Sequence, residues 1–246
     1  MNIFNKFKKK KPVIFGVTSY ETESNIKREY RNYDSKLLKK YGDCEPFNKN
    51  IKMLIYADSH GKIIYENKDY DFSMVDDYDV CLLLGDISCD DIREILKYVD
   101  KNKIYGILGN HDYFDNLDKF DIPNINGEII NINGVEILGI EGSIKYKENQ
   151  PGFTIDDGMN FVDTLPKCDI LISHSPPFGA LGMEHNSVHL GAPYVNKYIF
   201  KNRCPIVISG HNHINTGYDM INNTRGYSVY KQKVIEFKNG KLVDNF

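Results

Sequence analysis

Beyond about residue 50 the sequence predicts an α/β fold, two packed sheets with helices outside them. Three observations carry that expectation. Short apolar runs of strand length recur with helix-spaced stretches between them, and several strand-like runs follow one another near the end. Val, Ile and Leu dominate the earlier runs, as in strands covered on both faces. The 246 residues are enough chain for one large core. With 41% apolar side chains, 17 Tyr and 13 Phe, the chain is too apolar for a disordered one.

In chain order the expected strands are Lys52–Ala57, Asp79–Gly85, Lys103–Gly109, Glu136–Ile140, Asp169–Ser173 and Pro205–Ser209. Asp90–Lys101 reads as a helix, because Ile92, Ile95, Leu96 and Val99 fall at helical spacing behind acidic residues that favour a helix N-terminus. Thr154–Leu165 opens with Thr-x-x-Asp, a capping box in which Asp replaces Glu or Gln. Ala192–Lys201 is the third expected helix. The tail from Thr216 to Val243 reads as a meander of Tyr218–Ile221, Gly226–Tyr230 and Lys233–Phe237, with turns at Asn223 and Asn239–Gly240.

Residues 1–11 read as a basic, flexible tail, and 12–50 as an extension whose packing the sequence leaves open. Within it, Pro12–Thr18 is strand-like and Asn25–Tyr41 helix-like; residues 51–246 form the main domain. Charge divides along the same line. Residues 1–50 hold 12 basic and 6 acidic side chains, net +6, which leaves −9 on residues 51–246 out of a total of −3. The tail, with Phe4 and Phe7 among its lysines, suits weak contact with an anionic membrane surface or nucleic acid. The acidic body counts against a dedicated nucleic-acid binder. No apolar run approaches the ~18 residues of a spanning helix, and the N-terminus lacks the apolar stretch of a secretory signal. Five Cys stand without metal-finger spacing, and Cys81, Cys168 and Cys204 lie in or beside apolar runs as reduced thiols. A cytoplasmic protein is the expectation.

Five short motifs end the strand-like runs: ADSHGK with Asp58 and His60, LLLGD with Asp86, LGNHD with Asn110, His111 and Asp112, ISHSPP with His174, and ISGHNH with His211 and His213. Singly, each fits a polar loop. Together, at the carboxyl ends of strands where α/β folds collect ligands, they fit one site. Imidazole and carboxylate without thiolate suit Mn, Fe or Zn rather than Ca. Two such cations side by side need a bridging anion, and Asp86 is the natural one. Glycine before Asp86, Asn110 and His211 lets the backbone turn sharply and approach the metals.

The series D-x-H, GD, GNH-[DE], H and GHxH resembles that of the calcineurin-like metallophosphoesterase superfamily, over about residues 52–238. The resemblance implies a four-layer α/β/β/α sandwich of two mixed sheets flanked by helices. It also implies two metal ions. Asp58, His60 and His213 would hold the first, Asn110, His174 and His211 the second, and Asp86 would bridge them. His111 matches the histidine that protonates the leaving oxygen, with Asp112 as its orienting partner. The implied reaction is in-line attack of a metal-bridging hydroxide on a small phosphodiester or phosphomonoester. A nuclease acting on nucleic-acid ends and a non-catalytic binding module on the same fold are the alternatives.

Departures from the pattern narrow the choice. GDISCDD lacks the arginine of the protein phosphatases and dinucleoside tetraphosphatases, and Ile87 to Arg93 holds no tyrosine of the purple acid phosphatase kind. His111 stands where the lipid-A-type pyrophosphatases carry Arg. Only 33 residues follow His213, against the capping domain of the recombination nucleases. The compact group of small phosphodiesterases and phosphatases remains. LGIEGS and SHSPPFGALG…HLG…P…GHNH are similar to MPPED-like members. His185 and His189 read as solvated loop histidines first and substrate contacts second. Arg28 and Arg31 read as a solvated helix face ahead of a phosphate contact.

Overall fold

Period two decides the architecture. Along Ile51–Ala57 (β1), Ile51, Met53, Ile55 and Ala57 join one buried cluster while Leu54 and Tyr56 join another on the opposite face. A strand buried on both faces needs a layer on each side. In a computed structural model, which describes residues 32–63, 65, 70–72, 77–181 and 189–243, those layers are present. The tail 1–11, the expected strand Pro12–Thr18, Arg28, Arg31 and His185 lie outside the described residues.

The remaining strands are β2 (Val80–Leu83), β3 (Ile104–Gly106), β4 (Ile129–Ile132), β5 (Val135–Ile140), β6 (Ser143–Ile144), β7 (Gly152–Phe153), β8 (Ile170–Ser173), β9 (Ile206–Ser209), β10 (Thr216–Asp219), β11 (Arg225–Ser228), β12 (Lys231–Lys238) and β13 (Lys241–Leu242). The helices are α1 (residues 32–41), α2 (Cys89–Ile95), α3 (Ile155–Thr164) and α4 (Pro193–Asn202). One sheet runs β13-β12-β1-β2-β3 and the other β10-β11-β9-β8-β5-β4. β1, β2 and β3 are mutually parallel, as are β5, β8, β9 and β11, so antiparallel pairing is confined to the flanking strands.

Between the sheets Met53, Ile55 and Leu82 meet Ile137, Ile172 and Ile208. The outer face of the first sheet packs Leu54, Cys81 and Leu83 on Ile92 and Ile95 of α2. The outer face of the second packs Leu138, Leu171 and Val207 on Val162 of α3, Tyr198 and Ile199 of α4 and Leu37 of α1. The result is the α/β/β/α sandwich. α1, from the N-terminal extension, belongs to the outer layer, where Asn196 Nδ2 donates to Asp34 Oδ1 at 2.9 Å and Tyr33 Oη to Pro193 O at 3.2 Å. All five cysteines are free. No helix among the described residues is long and apolar enough to cross a membrane.

Several elements differ from expectation for physical reasons. α2 is shorter than Asp90–Lys101: Ser88 caps it by accepting from Asp91 N at 3.2 Å, and past Leu96 the chain tightens into turns, with Lys97 N on Glu94 O and Tyr98 N on Ile95 O. Apolar spacing therefore continues to Val99 after the α-helix has ended. β4 was not expected; Asn133 and Gly134, both at positive φ, turn it back on β5. The tail is not a meander. β10 and β11 extend the second sheet, and the chain crosses over so that β12 pairs with β1 in the first. This crossing lets Tyr227 and Val229 on one side and Ile235 and Phe237 on the other fill the same inter-sheet core. The Thr154 cap holds as expected, accepting from Asp157 N at 3.2 Å.

Candidate metal centre

The loops after β1, β2, β3, β8 and β9 meet at the carboxyl ends of the parallel strands of both sheets. Cross-sheet hydrogen bonds tie them together there. His211 N donates to Asp58 Oδ2 at 2.8 Å, and His174 Nδ1 pairs with Leu84 O at 2.8 Å. A carbonyl only accepts, so the proton sits on Nδ1 and His174 Nε2 is turned toward Asp86 and Asn110. Two clusters result: Asp58, His60 and His213, and Asp86, His174 and His211, each with its ligand atoms within 4.8 Å of one another. Asn110 joins the second, its Oδ1 3.1 Å from His174 Nε2. Asp86 faces both, since its Oδ2 lies 3.9 Å from His60 Nε2 and 3.5 Å from His174 Nε2.

Five of these residues hold left-handed backbone: Asp58 (φ 55°), His60 (51°), Asp86 (55°), His211 (69°) and His213 (53°). L-residues avoid that region, so the surrounding structure enforces it. For the Asp58–His60 and Asp86 loops, two aspartates outside the clusters supply the enforcement. Asp112 accepts from Asp86 N at 2.8 Å and Gly109 N at 2.7 Å through Oδ2, and from Ile87 N and Asn116 Nδ2, both at 3.1 Å, through Oδ1. Asp91, fully buried at the start of α2, accepts from Ser59 Oγ at 2.5 Å, Gly61 N at 2.6 Å and Ile63 N at 3.0 Å. Asp112 thus fastens the Asp86 loop and makes no hydrogen bond with the His111 ring, for both its oxygens are taken by other donors. Asp91 fastens the Asp58–His60 loop. In the sequence Asp91 has the look of helix-terminal charge; what marks it out in GDISCDD is an acid placed three residues after the Ser88 cap.

Gly85 turns the backbone sharply at φ 89°, as expected, and Gly109 and Gly210 serve a further end. A Cβ on Gly109 would stand 2.1 Å from Asp86 Oδ1, and one on Gly210 2.6 Å from Asp58 Oδ2. Their bareness makes room for the neighbouring carboxylates.

The Asp58 and Asp86 charges draw positive charge toward the clusters, and burial opposes it. Burial alone would raise the Asp86 carboxyl, yet His174 and the His111 N–H outweigh it and hold Asp86 below the usual carboxylate range. Burial opposes a charged His174, but Asp86 and Asp58 push its pKa up to about 9. His60 is lowered by burial against the pull of Asp86 and Asp58. Burial and the Asp86 charge push Asp112 up to about 7, against the N–H donors that stabilise its ionised form.

The residues fit a metal. Asp58 Oδ1 is buried without a hydrogen-bond partner, 3.5 Å from His213 Nε2. His60 Nε2 and His213 Nε2 converge to 3.1 Å. Two ring nitrogens and an orphaned carboxylate oxygen aimed at one point are donors for a cation. The clusters differ in access: Asp86, His174 and His211 are buried, whereas His60 and His213 reach solvent. His111 is exposed, its ring 5.5 Å from that of His60 and its N–H on Asp86 Oδ1 at 2.7 Å. Tyr230, which no motif singled out, stacks on His213 at 5.0 Å.

Asp91→Ala should leave Gly61 N, Ile63 N and Ser59 Oγ without their acceptor, costing about 2–4 kcal/mol of stability and weakening metal retention at the Asp58 cluster. Denaturant unfolding with elemental analysis checks both. An unchanged midpoint and metal content would contradict the fastening role.

An α/β/β/α sandwich with two Asp/His clusters at the strand ends defines a metal-binding hydrolase class, and the comparisons agree. The profile of the calcineurin-like phosphoesterase family (Metallophos) matches residues 25–215. No curated protein sequence matches the chain. Among solved structures, TT1561 of Thermus thermophilus is similar with a TM-score of 0.55 and 13% identity, over 78% of this chain and 100% of that one. The phosphopantetheinyl hydrolase PptH of Mycobacterium tuberculosis is similar with a TM-score of 0.51 and 12% identity, over 76% of this chain and 91% of that one. These two likenesses show a shared fold. The chain belongs to the calcineurin-like phosphoesterase family, metal-dependent phosphoric ester hydrolases.

Proposed function

We propose that the protein hydrolyses small phosphodiesters or phosphomonoesters at a dinuclear centre, with Asp58, His60 and His213 holding one ion, Asn110, His174 and His211 the other, and Asp86 shared. The observation that carries this reading is Asp86 Oδ2 facing a histidine of each cluster, at 3.9 and 3.5 Å. When bound, a pair of Mn, Fe or Zn ions acidifies water and neutralises charge on the phosphoryl oxygens. Asp112 and Asp91 hold the ligand loops in place beforehand, so little reorganisation accompanies binding. His111 supplies the proton. Among the described residues its ring has no hydrogen-bond partner, and it stands beside His60, placed to protonate the leaving oxygen as the P–O bond breaks while water provides the new one. No serine nucleophile is needed: Ser59 Oγ is committed to Asp91 and Ser173 Oγ donates to Ser175 O at 2.7 Å.

The test is chelation and turnover together. After Mn loading, a chelator should withdraw metal in two phases, first from the open Asp58 cluster and then from the buried one. Hydrolysis of bis- or mono-p-nitrophenyl phosphate should end with the first phase. Release in one phase with fewer than about one ion per chain, or turnover that survives full removal, would refute the reading.

A further inference from the structure

The segment entering α4 is fastened to the metal centre more closely than a solvated loop requires. Gly179 N donates to Leu190 O at 2.8 Å, and Ala192 N to Pro176 O at 2.9 Å. Gly191, at φ 81°, presses so close that a Cβ there would lie 2.5 Å from the carbonyl oxygens of Pro176 and Pro177. Asn212 Nδ2, between His211 and His213, donates to His189 O at 3.4 Å. The His174 loop therefore grips Leu190 to Ala192, and the GHNH loop grips the His189 carbonyl itself.

Its ring is consequently placed. The centroid stands 4.9 Å from that of His211 and 6.4 Å from that of His213. Yet among the described residues His189 belongs to neither ligand cluster, and its ring nitrogens make no hydrogen bond there. His111 borders the pair against His60; His189 borders it against His211 and His213. A bound phosphoryl group also needs donors from the protein. Among the described residues the ion pairs of Asp58 and Asp86 are all with histidine and none with Lys or Arg. An imidazole carries at least one N–H in either protonation state, so it meets that need regardless of its charge.

We infer that His189 is a phosphate contact of this site, donating a ring N–H to a non-bridging oxygen of the bound phosphoryl group; this rests on the phosphoesterase reading above. It is the specificity element for the phosphoryl group itself and holds no metal.

Calorimetric titration of inorganic phosphate into the Mn-loaded full chain tests it, with metal content measured on the same samples. His189→Ala should weaken phosphate binding about tenfold, the loss of one charge-assisted hydrogen bond. His189→Gln, which keeps an N–H donor, should recover part of that loss, and both variants should retain wild-type metal content. Equal phosphate affinity in wild type and His189→Ala would overturn the inference, as would loss of metal in His189→Ala, which would make the ring a ligand. Wild-type protein that binds phosphate through His189 but hydrolyses no ester would sink the phosphoesterase reading and leave this contact standing. Wild-type protein that binds no phosphate would overturn both.

Discussion

Asp86→Asn should retain the fold and lose the chemistry. Asn tolerates the left-handed backbone that Asp86 adopts at φ 55° and fills the same volume. What disappears is the negative charge between the clusters and one of two oxygens, of which Oδ1 holds His111 N at 2.7 Å and Oδ2 faces His60 and His174. Metal after Mn loading should fall from about two ions per chain to one or fewer, with turnover down by more than about 10²–10³-fold, the loss expected from removing a transition-state contact. Far-UV circular dichroism should match wild type. A variant that keeps both ions and its turnover would show that Asp86 is not shared.

Replacing His111 separates the proton from the metal. His111→Ala should slow esters with poor leaving groups, such as phenyl or alkyl phosphates, by about 10²–10⁴-fold, while p-nitrophenyl esters, whose leaving oxygen needs no proton, lose far less. Because the side chain is exposed and belongs to neither cluster, stability and metal content should stay near wild type. Equal slowing of all esters, or loss of metal, would assign the ring another role.

The candidate ligands were legible because each sits in a short motif at the end of an apolar run, and parallel strands bring such ends together without further information. Long-range partners were not legible. The family resemblance implied that Asp112 orients His111; its contacts with Asp86 N and Ile87 N lie 26 and 25 positions away, beyond any local pattern. Asp91 serves a loop 28 to 32 positions earlier. The crossing from β11 to β12 is hidden for the same reason, since strand-like patterning says which residues pair but not with which sheet. The β4–β5 hairpin is a different kind of miss: Asn133-Gly134 is a local turn signal between two apolar runs, and reading it would have placed the extra strand. His189 was ambiguous because a loop histidine has no periodicity; only the pairing of its neighbours with two distant loops fixes its ring.

The left-handed backbone at Asp58, His60, Asp86, His211 and His213 bears on how mutagenesis of this protein reads out. Alanine is poorly suited to that conformation, at a cost of about 1–2 kcal/mol. Asp58→Ala or Asp86→Ala would therefore delete a ligand and unsettle a bend at once, and an alanine scan would credit the carboxylate with both losses. Asn110 and His174 lie outside the left-handed set, so truncation there reports the side chain alone. At the bent positions asparagine is the cleaner probe, and glycine the control that keeps the bend while removing the ligand.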